Sequence, residues 1–409
     1  MKLLYLITRT DDLGGAQVHV RDLACRLAQE GHEVVVASGP GTLPEYRRAL
    51  EEAGVSIRHL EHLAREIRPL ADLKALGEIT RLCAEEAPDL VSIHSSKTGI
   101  LGRIAARRAR VRCVFTAHGW SFTTGVPWLR ALLYRIAERA TIGICNAVVT
   151  VCEFDRRLAL EAGVGRPERL VTIRNGMPDV APELRGPSAG SGSTGGPGSR
   201  APHPALEGET VRIIMVARFG PQKDHSTLLE AMANLARESA AEQTGLRLAG
   251  SPPAVELLLV GDGPSEYALR REAYDLGIDD RVRFLGNRGD VPELLAASDI
   301  FVLATNWEGL PRSIIEALRA GLPVVATDLA GIPELVAEGE NGYLVPRADA
   351  RTLAARLAEL IADDELRARM GARSRRRFEE EFSFERMYEQ TRTLYEAVHA
   401  GLAPGGAVS

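Results

Sequence analysis

The sequence lacks the long apolar runs, the paired cysteines and the excess of basic charge that would each indicate a particular class of protein. No segment approaches the roughly 18 uninterrupted apolar residues of a membrane-spanning helix. The apolar run from Leu3 to Ile7 is too short to be the core of a signal peptide. With 50 basic against 55 acidic side chains, the charge gives no indication of a nucleic-acid partner. We therefore expect a cytoplasmic protein, and peripheral contact with the inner face of the cell membrane stays open.

The five cysteines are odd in number and scattered along the chain, without a C-x-x-C pair. This distribution is typical of reduced, mostly buried thiols and argues against a disulfide framework or a zinc site.

A chain of 409 residues is too long for one ordinary domain, so two domains are expected. Short apolar strands alternate with helical periodicity in both halves, which predicts an α/β protein with two doubly wound, Rossmann-like domains. The composition changes between residues 186 and 209, where glycine, serine and proline dominate. Such a segment cannot bury enough apolar surface to offset the entropy of ordering it, so it is predicted to be a flexible linker. The predicted limits are residues 1–184 for the first domain, 185–210 for the linker, 211–378 for the second domain, and 379–409 for a terminal helix and tail.

The stretch from Ala304 to Thr327 carries the clearest signal of a binding site. It reads as the end of a strand, a loop, a short helix opened by Pro311 and closed by Gly321, and a second strand. Glu308 lies in the loop, and Glu316 follows with seven residues between the two acids. The helix N-terminus between these carboxylates favours a phosphate, so the pattern suits a nucleotide-sugar. The plainer alternative is a helix N-terminus with an acidic residue nearby.

Three other turns follow predicted strands and contain candidate site residues. Gly14 and Gly15 let a backbone approach a ligand closely, although tight strand-to-helix turns use glycine in any case. His118 stands at a strand tip beside a glycine, where a structural histidine is equally expected. Arg218 and Lys223 lie five residues apart, and their cations can hold a phosphate.

The glutamate pair, with its continuation through the residues DLAGIPEL at 328–335, resembles the E-x7-E signature of the retaining family 4 glycosyltransferases. The resemblance covers nearly the whole chain except residues 185 to 210. It implies the GT-B architecture, in which two Rossmann-like domains face each other across a cleft and a C-terminal helix crosses back to the first domain. It also implies a retaining hexosyltransferase reaction on a nucleotide-diphosphate sugar, of the UDP type.

The resemblance assigns a role to each candidate residue. Arg218 and Lys223 would stabilise the leaving diphosphate, Glu308 would hold hydroxyls of the donor sugar, and Glu316 would hold the ribose. His118 would lie near the reacting sugar. The residues with an implied part in catalysis are Glu308, His118, Arg218 and Lys223. The residues with an implied part in donor binding are Gly14, Gly15, Arg218, Lys223, Gly309, Leu310, Pro311 and Glu316.

Neither a metal nor another cofactor is expected. Transferases that neutralise the diphosphate with a metal commonly hold it through a D-x-D pair, and this chain has none. The expected partners are the nucleotide-sugar and a saccharide or polyprenyl-diphosphate-linked acceptor of cell-surface polysaccharide or glycoconjugate synthesis.

Two other functional classes are considered beside the transferase. A nucleotide-sugar 2-epimerase would share the architecture, and a non-catalytic nucleotide-sugar-binding partner would share the fold. The E-x7-E stretch argues against the first, and the intact cations and glutamates argue against the second.

The arginines between Arg103 and Arg139 form a basic cluster in the sequence. The helical spacing of Leu129, Leu132, Leu133, Ile136 and Ala140 is consistent with an amphipathic core helix whose charged face is solvated. The alternative is that the arginines dock on an anionic membrane surface.

Overall fold

The structure is a computed structural model, and it describes residues 1–12, 14–123, 125–185, 210–244 and 254–406. Its contacts divide the chain into two compact units. The first unit is Met1–Asn175 with Glu385–Ser409, and the second is Gly176–Phe384. The predicted domain limits at residues 184, 211 and 378 remain predictions, and most of the predicted linker lies outside the described residues.

The first unit is built on a parallel sheet with the strand order β3-β2-β1-β4-β5-β6-β7. Its strands are β1 (Lys2–Leu6), β2 (Glu33–Ser38), β3 (Ser56–His59), β4 (Leu90–His94), β5 (Arg112–Ala117), β6 (Ala147–Thr150) and β7 (Leu170–Thr172). The helices that connect these strands are α1 (Gly15–Gln29), α2 (Pro44–Glu52), α3 (Pro69–Glu86), α4 (Ser96–Ala109), α5 (Trp128–Ile142) and α6 (Glu153–Glu161).

The second unit is built on a parallel sheet with the strand order β10-β9-β8-β11-β12-β13. Its strands are β8 (Thr210–Val216), β9 (Ala254–Val260), β10 (Val282–Gly286), β11 (Ile300–Leu303), β12 (Val324–Thr327) and β13 (Gly342–Val345). Its helices are α7 (His225–Thr244), α8 (Glu266–Asp275), α9 (Val291–Ala296), α10 (Arg312–Arg319), α11 (Ala350–Ala362) and α12 (Asp364–Arg377).

Both sheets have the doubly wound arrangement that the sequence predicts. The central strands are continuous apolar runs because helices cover both faces of a parallel sheet. The strand order reverses between β1 and β4 in one unit and between β8 and β11 in the other. Ligands of such sheets bind at the carboxyl ends of the strands beside this reversal. The loops after β1, β4, β8 and β11 are therefore where site residues are expected.

The last helix, α13 (Phe384–Ala400), packs mainly on the first unit, as the resemblance implies. Its Tyr388 hydroxyl donates a hydrogen bond of 2.6 Å to the Glu30 carboxylate at the end of α1. The guanidinium of Arg112, at the start of β5, donates to the carbonyl oxygens of Val398 and His399 in the last turn. The C-terminal carbonyls of α13 thus gain donors that the helix itself cannot supply.

The basic cluster predicted from the sequence is not a single exposed surface. Arg103 is completely buried and forms an ion pair with the buried Glu138 of α5, while its guanidinium lies over the ring of Phe115. Removing one partner of such a pair would leave an uncompensated charge in the core, which typically destabilises a fold by about 3–5 kcal/mol. Arg103 is therefore a structural residue, and its inclusion in a membrane-facing cluster was wrong.

The apolar residues of α5 also differ from the core-helix interpretation. Leu129, Leu133 and Ile136 are 54%, 60% and 55% exposed, and Trp128 at the start of the helix is 76% exposed. Their helical spacing is as predicted, but the face that they form is not covered by the described residues of the fold. Periodicity identifies the apolar face of a helix without identifying what packs on it.

Candidate active site

The stretch between β11 and β12 folds as the sequence predicts, with one shift. Pro311 is the residue that caps α10, and the helix itself begins at Arg312. At the other end Gly321 has a φ of +72°, the left-handed conformation that favours glycine. The amides of Gly321 and Leu322 donate to the carbonyls of Leu318 and Ala317, each at 3.0 Å. These two bonds form a Schellman motif, which ends the helix and directs the chain into β12.

Glu308 and Lys223 meet although 85 residues separate them in sequence. The Lys223 ammonium contacts Oε1 of Glu308, and the two side chains are 13% and 7% exposed. The hydroxyl of Thr305 donates to the same oxygen at 2.9 Å. Two donors therefore hold one carboxylate oxygen, which leaves Oε2 and the remaining ammonium hydrogens able to bind a ligand.

The loops that carry this ion pair are joined by backbone hydrogen bonds. The amide of Asp224 donates to the carbonyl of Ala304 at 3.0 Å, and the amide of Asn306 donates to the carbonyl of Gln222 at 2.8 Å. The side-chain amide of Gln222 also donates to the carbonyl of Trp307 at 2.9 Å. The loop after β8 and the loop after β11 thus form one connected platform, so the geometry of the ion pair does not depend on long flexible side chains alone.

Arg218 is the exposed cation of this platform, and it lies two residues after the end of β8. Among the described residues no carboxylate pairs with its guanidinium. The backbone beside it packs tightly on a glycine turn, because a Cβ on Gly261 would meet the carbonyl oxygen of Ala217 at 2.1 Å and one on Gly263 would meet that of Phe219 at 2.2 Å. The position of Arg218 is therefore fixed at its backbone, while its guanidinium is available to an anion.

Glu316 lies one turn inside α10 and is partly buried. Burial raises the pKa of its carboxyl group, and the neighbouring Arg312 and Arg319 oppose that rise. Burial in turn lowers the pKa of Arg319. Hydrogen bonds donated by a ligand would stabilise a carboxylate in this position, because water solvates it poorly.

The candidate residues of the first unit lie at the carboxyl edge of its own sheet. Gly14 caps α1, and Gly15 is the first residue of that helix, directly after the loop that follows β1. His118 follows β5, and its Nε2 lies 3.0 Å from Nδ1 of His94 at the end of β4. His94 is completely buried, and burial, followed by the proximity of His118, lowers its pKa well below the usual range.

Each unit therefore collects its own share of the predicted residues. The second unit brings together Lys223 and Glu308, and it places the exposed Arg218 on the same platform of loops. Gly309 and Leu310 lie between Glu308 and the cap residue of α10. The amide of Gly331 donates to the carbonyl of Gly309 at 3.1 Å, which ties this turn to the loop after β12.

Sequence reasoning missed three residues of these two groups. Thr305 gave no signal beyond its position at a strand end. His94 and His19 were not singled out from the sequence, yet their rings lie 5.5 Å apart and both are buried. Histidine at an otherwise apolar core position is uncommon, and this could have marked both residues.

Comparison with known proteins places both halves of the chain among glycosyltransferases. The family described as Glycosyl transferase 4-like domain matches residues 14–176, and the family described as Glycosyl transferases group 1 matches residues 201–377.

Two relatives and one solved structure show how far the similarity extends. The UDP-Gal:alpha-D-GlcNAc-diphosphoundecaprenol alpha-1,3-galactosyltransferase of Escherichia coli is 29% identical over 81% of this chain and 81% of its own length. The phosphatidyl-myo-inositol mannosyltransferase of Mycolicibacterium smegmatis is 30% identical over 89% of this chain and 85% of its own. The crystal structure of HepE from Anabaena in complex with UDP and glucose is 22% identical, with a TM-score of 0.75 over 98% of this chain and all of that one. This last similarity shows a common fold.

Proposed function

The chain belongs to the glycosyltransferases of the group 1 and 4-like families, and from that premise we propose that it moves a hexose from a UDP-sugar to a saccharide carried on a polyprenyl diphosphate, with retention of the anomeric configuration. The name of the Escherichia coli relative, which specifies UDP-galactose and a diphosphoundecaprenol-linked sugar, supports this donor and acceptor. UDP in the HepE structure supports the same nucleotide.

The observation that carries the proposal is the group formed by Arg218, Lys223 and Glu308. When the bond between the sugar and the diphosphate breaks, the electron pair of that bond stays on the phosphate oxygen. Arg218 can bind the departing diphosphate through two of its N–H groups, and Lys223 adds a point charge. Cations fixed in place before the reaction stabilise this developing charge without reorganisation. On this basis the transfer needs no metal ion.

Glu308 has a different task from the cations. Lys223 and Thr305 both hold its Oε1, and these two contacts fix the orientation of the carboxylate and therefore the position of Oε2. We assign Oε2 to a hydroxyl group of the donor sugar. The two donors on Oε1 also draw electron density from the carboxylate, which makes it a weaker nucleophile. Retention is therefore assigned to entry of the acceptor oxygen on the face that the diphosphate leaves, where the departing oxygen can accept its proton.

Glu316 is assigned to the ribose hydroxyls of the donor. Replacing it with glutamine is expected to weaken UDP binding by about 1–3 kcal/mol, the size of a lost hydrogen bond to a charged group. Because burial raises the pKa of Glu316, the wild-type protein should lose UDP affinity on acidification at a pH above the usual glutamate range. Calorimetric titration with UDP across that pH range measures both effects, and the Glu316→Gln variant should lack this part of the pH dependence. Equal affinity of the two proteins at neutral pH would remove Glu316 from the donor site.

We further propose that the exposed apolar face of α5 contacts the membrane that holds the lipid-linked acceptor. Trp128, Leu129, Leu133 and Ile136 share this face, in the arrangement of a helix that lies in a membrane interface. Beside it is a cavity of about 540 Å³, lined by Phe122, Trp128, Leu132, Arg135 and Leu158 among others. The described residues contain no helix that is both long enough and apolar enough to span a bilayer.

Replacing Trp128 and Leu133 together with serine should therefore abolish binding to phosphatidylglycerol vesicles. Each side chain loses about 1.5–3 kcal/mol of apolar burial, so the two substitutions together should weaken binding by more than about a hundredfold. Tyr267→Ser with Tyr274→Ser is the matched control, because these tyrosines of α8 are 80% and 71% exposed. Sedimentation with vesicles measures the difference, and equal binding by all three proteins would contradict the assignment.

A further inference from the structure

A continuous chain of hydrogen bonds runs inside the first unit from the terminal helix α13 to His118. The Tyr5 hydroxyl donates to the Tyr395 hydroxyl at 3.3 Å, and the Tyr395 hydroxyl lies 2.7 Å from Oγ of Ser92. That oxygen lies 2.9 Å from Nε2 of His94, whose Nδ1 lies 3.0 Å from Nε2 of His118. Tyr5, Ser92, His94 and Tyr395 are each exposed by 1% or less. Only His118 at the end of the chain is partly accessible.

The contact between His94 and His118 is an in-line hydrogen bond. Their ring centres lie 5.3 Å apart and their planes differ by 27°. This separation equals the 3.0 Å nitrogen–nitrogen distance plus the radii of the two rings, so the rings meet edge to edge along one line. In such a contact one ring donates its hydrogen and the other accepts it.

His19 lies beside this pair, with its ring centre 4.8 Å from that of His118, and the donor spacing of the three histidines could also suit a metal ion. A metal requires lone pairs that converge on one point about 2.0–2.1 Å from each nitrogen. Nδ1 of His94 and Nε2 of His118 instead point at each other, and 3.0 Å is too short for an ion on the line between them. The geometry therefore favours a shared hydrogen.

The direction of donation along this chain of hydrogen bonds is set by the need of each hydroxyl hydrogen for an acceptor. Within the described residues, the acceptor in reach of the buried Tyr5 hydroxyl is the oxygen of Tyr395. Tyr395 then donates to Ser92, and Ser92 donates to Nε2 of His94. His94 consequently carries its own hydrogen on Nδ1 and donates it to His118. The reverse direction would leave the Tyr5 hydrogen buried without an acceptor, which costs about 1–3 kcal/mol.

The titration behaviour of the buried groups keeps this pattern in place. Burial raises the pKa of Tyr5 well above its usual value and also raises that of Tyr395. Burial lowers the pKa of His94 well below its usual value. Both phenols and the His94 imidazole are therefore neutral around pH 7, so these hydrogen-bonded groups neither gain nor lose a proton near that pH.

We propose that Tyr395 and Ser92 are positioning residues that act through His94 to fix the tautomer of His118. Because Nε2 of His118 accepts the hydrogen bond, its hydrogen is on Nδ1, and His118 serves as a hydrogen-bond donor to an oxygen of the bound sugar. This inference rests on the proposed place of His118 beside the reacting sugar. The proposal also gives the terminal helix α13 a functional role, because this helix contains Tyr395.

The tautomer can be observed by NMR correlation of ring nitrogens and carbon-bound hydrogens in ¹⁵N-histidine-labelled protein. The His118 signals can be assigned by their loss in a His118→Gln sample. The wild-type protein should show the hydrogen on Nδ1 at pH 7.5. In Tyr395→Phe the Ser92 hydroxyl is free to accept from His94, so His118 should become a mixture of tautomers. The kcat should fall about fivefold, the ratio that one hydrogen bond of ordinary net strength gives, while KM for the donor changes little.

Tyr388→Phe is the matched control, because Tyr388 is buried on the same helix but donates to Glu30, outside the chain. It should keep both the wild-type tautomer and the wild-type kcat. Ser92→Ala removes the direct donor to His94 with minimal change in volume, and it should shift the tautomer even if Tyr395→Phe is too unstable to study.

A wild-type spectrum with the hydrogen on Nε2 would overturn the proposal, and so would unchanged spectra in both Tyr395→Phe and Ser92→Ala. The tautomer is read without substrate, so a wild-type protein that fails to transfer sugar would contradict the proposed function and leave this test intact.

Discussion

Replacing Arg218 and Lys223 together with alanine is expected to reduce sugar transfer by about 10⁴-fold or more, because removal of one fixed donor from a leaving charge typically costs about 10²–10³-fold. The loss should exceed that of either single variant. Lys223→Ala should have the larger single effect, since it removes a cation and also leaves the 7%-exposed Glu308 carboxylate without its ammonium partner. Initial rates at saturating UDP-sugar and acceptor measure these effects.

The same experiment separates side-chain cations from a metal ion. Wild-type transfer should persist in excess chelator, because Arg218 and Lys223 supply the positive charge. The matched control is Arg271→Ala with Arg369→Ala, which removes two cations of the second unit that are 73% and 63% exposed in surface ion pairs. That control should keep its rate. Activity that chelator abolishes and manganese restores would reject the assignment, as would a double Arg218/Lys223 variant with wild-type rate.

Replacing Glu308 with glutamine is expected to lower kcat by about 100-fold while donor affinity changes by only a few-fold, because a contact that tightens in the transition state affects turnover more than binding. Glutamine keeps the shape of the side chain but loses the charge that pairs with Lys223. The Glu316→Gln variant provides the contrast, since its main effect should be on affinity. Single-turnover rates and UDP titrations on the two variants distinguish the roles.

Glu308 and Lys223 should not behave as independent residues. They are in direct contact, so the effect of Glu308→Gln should be smaller in a Lys223→Ala background than in the wild-type protein. A reversed pattern, in which Glu308→Gln loses donor affinity and Glu316→Gln loses turnover, would exchange the two assignments. Additive effects of Glu308→Gln and Lys223→Ala would show that the ion pair is not maintained during the reaction.

Local structure around the glutamate pair could be predicted from sequence because its signals are local. Gly321 comes two residues after the last residue of α10. A Schellman motif requires a residue in the left-handed conformation at that position, and glycine adopts it most readily. The doubly wound sheets follow from buried strands that alternate with helices. The positions of Glu308, Arg218 and Lys223 at strand ends were therefore predictable as separate facts.

The contacts between distant residues could not be predicted in the same way. The pairing of Lys223 with Glu308 depends on β8 and β11 being neighbours in the sheet, and no periodicity reveals that order. The burial of Arg103 could not be predicted either. It depends on the ion pair with Glu138, which lies 35 residues away in the sequence. For α5 the spacing of the apolar residues was right, but spacing alone does not show whether a neighbour covers them.

The relatives and family matches favour transfer over the alternatives from other classes. The matched relatives described above are named as transferases, and the 2-epimerase interpretation receives no support from them. The contact of Glu308 with Lys223 and Thr305 fits the donor site that we propose.

The central claim is tested most directly by the configuration of the product. The protein is incubated with UDP-α-galactose and other UDP-sugars, together with N-acetylglucosamine linked to a polyprenyl diphosphate, in excess chelator. The product is analysed by the NMR coupling between H1 and H2 of the transferred sugar. The account predicts an α-linked product together with released UDP. A β-linked product, or an epimerised UDP-sugar that forms without acceptor, would contradict it.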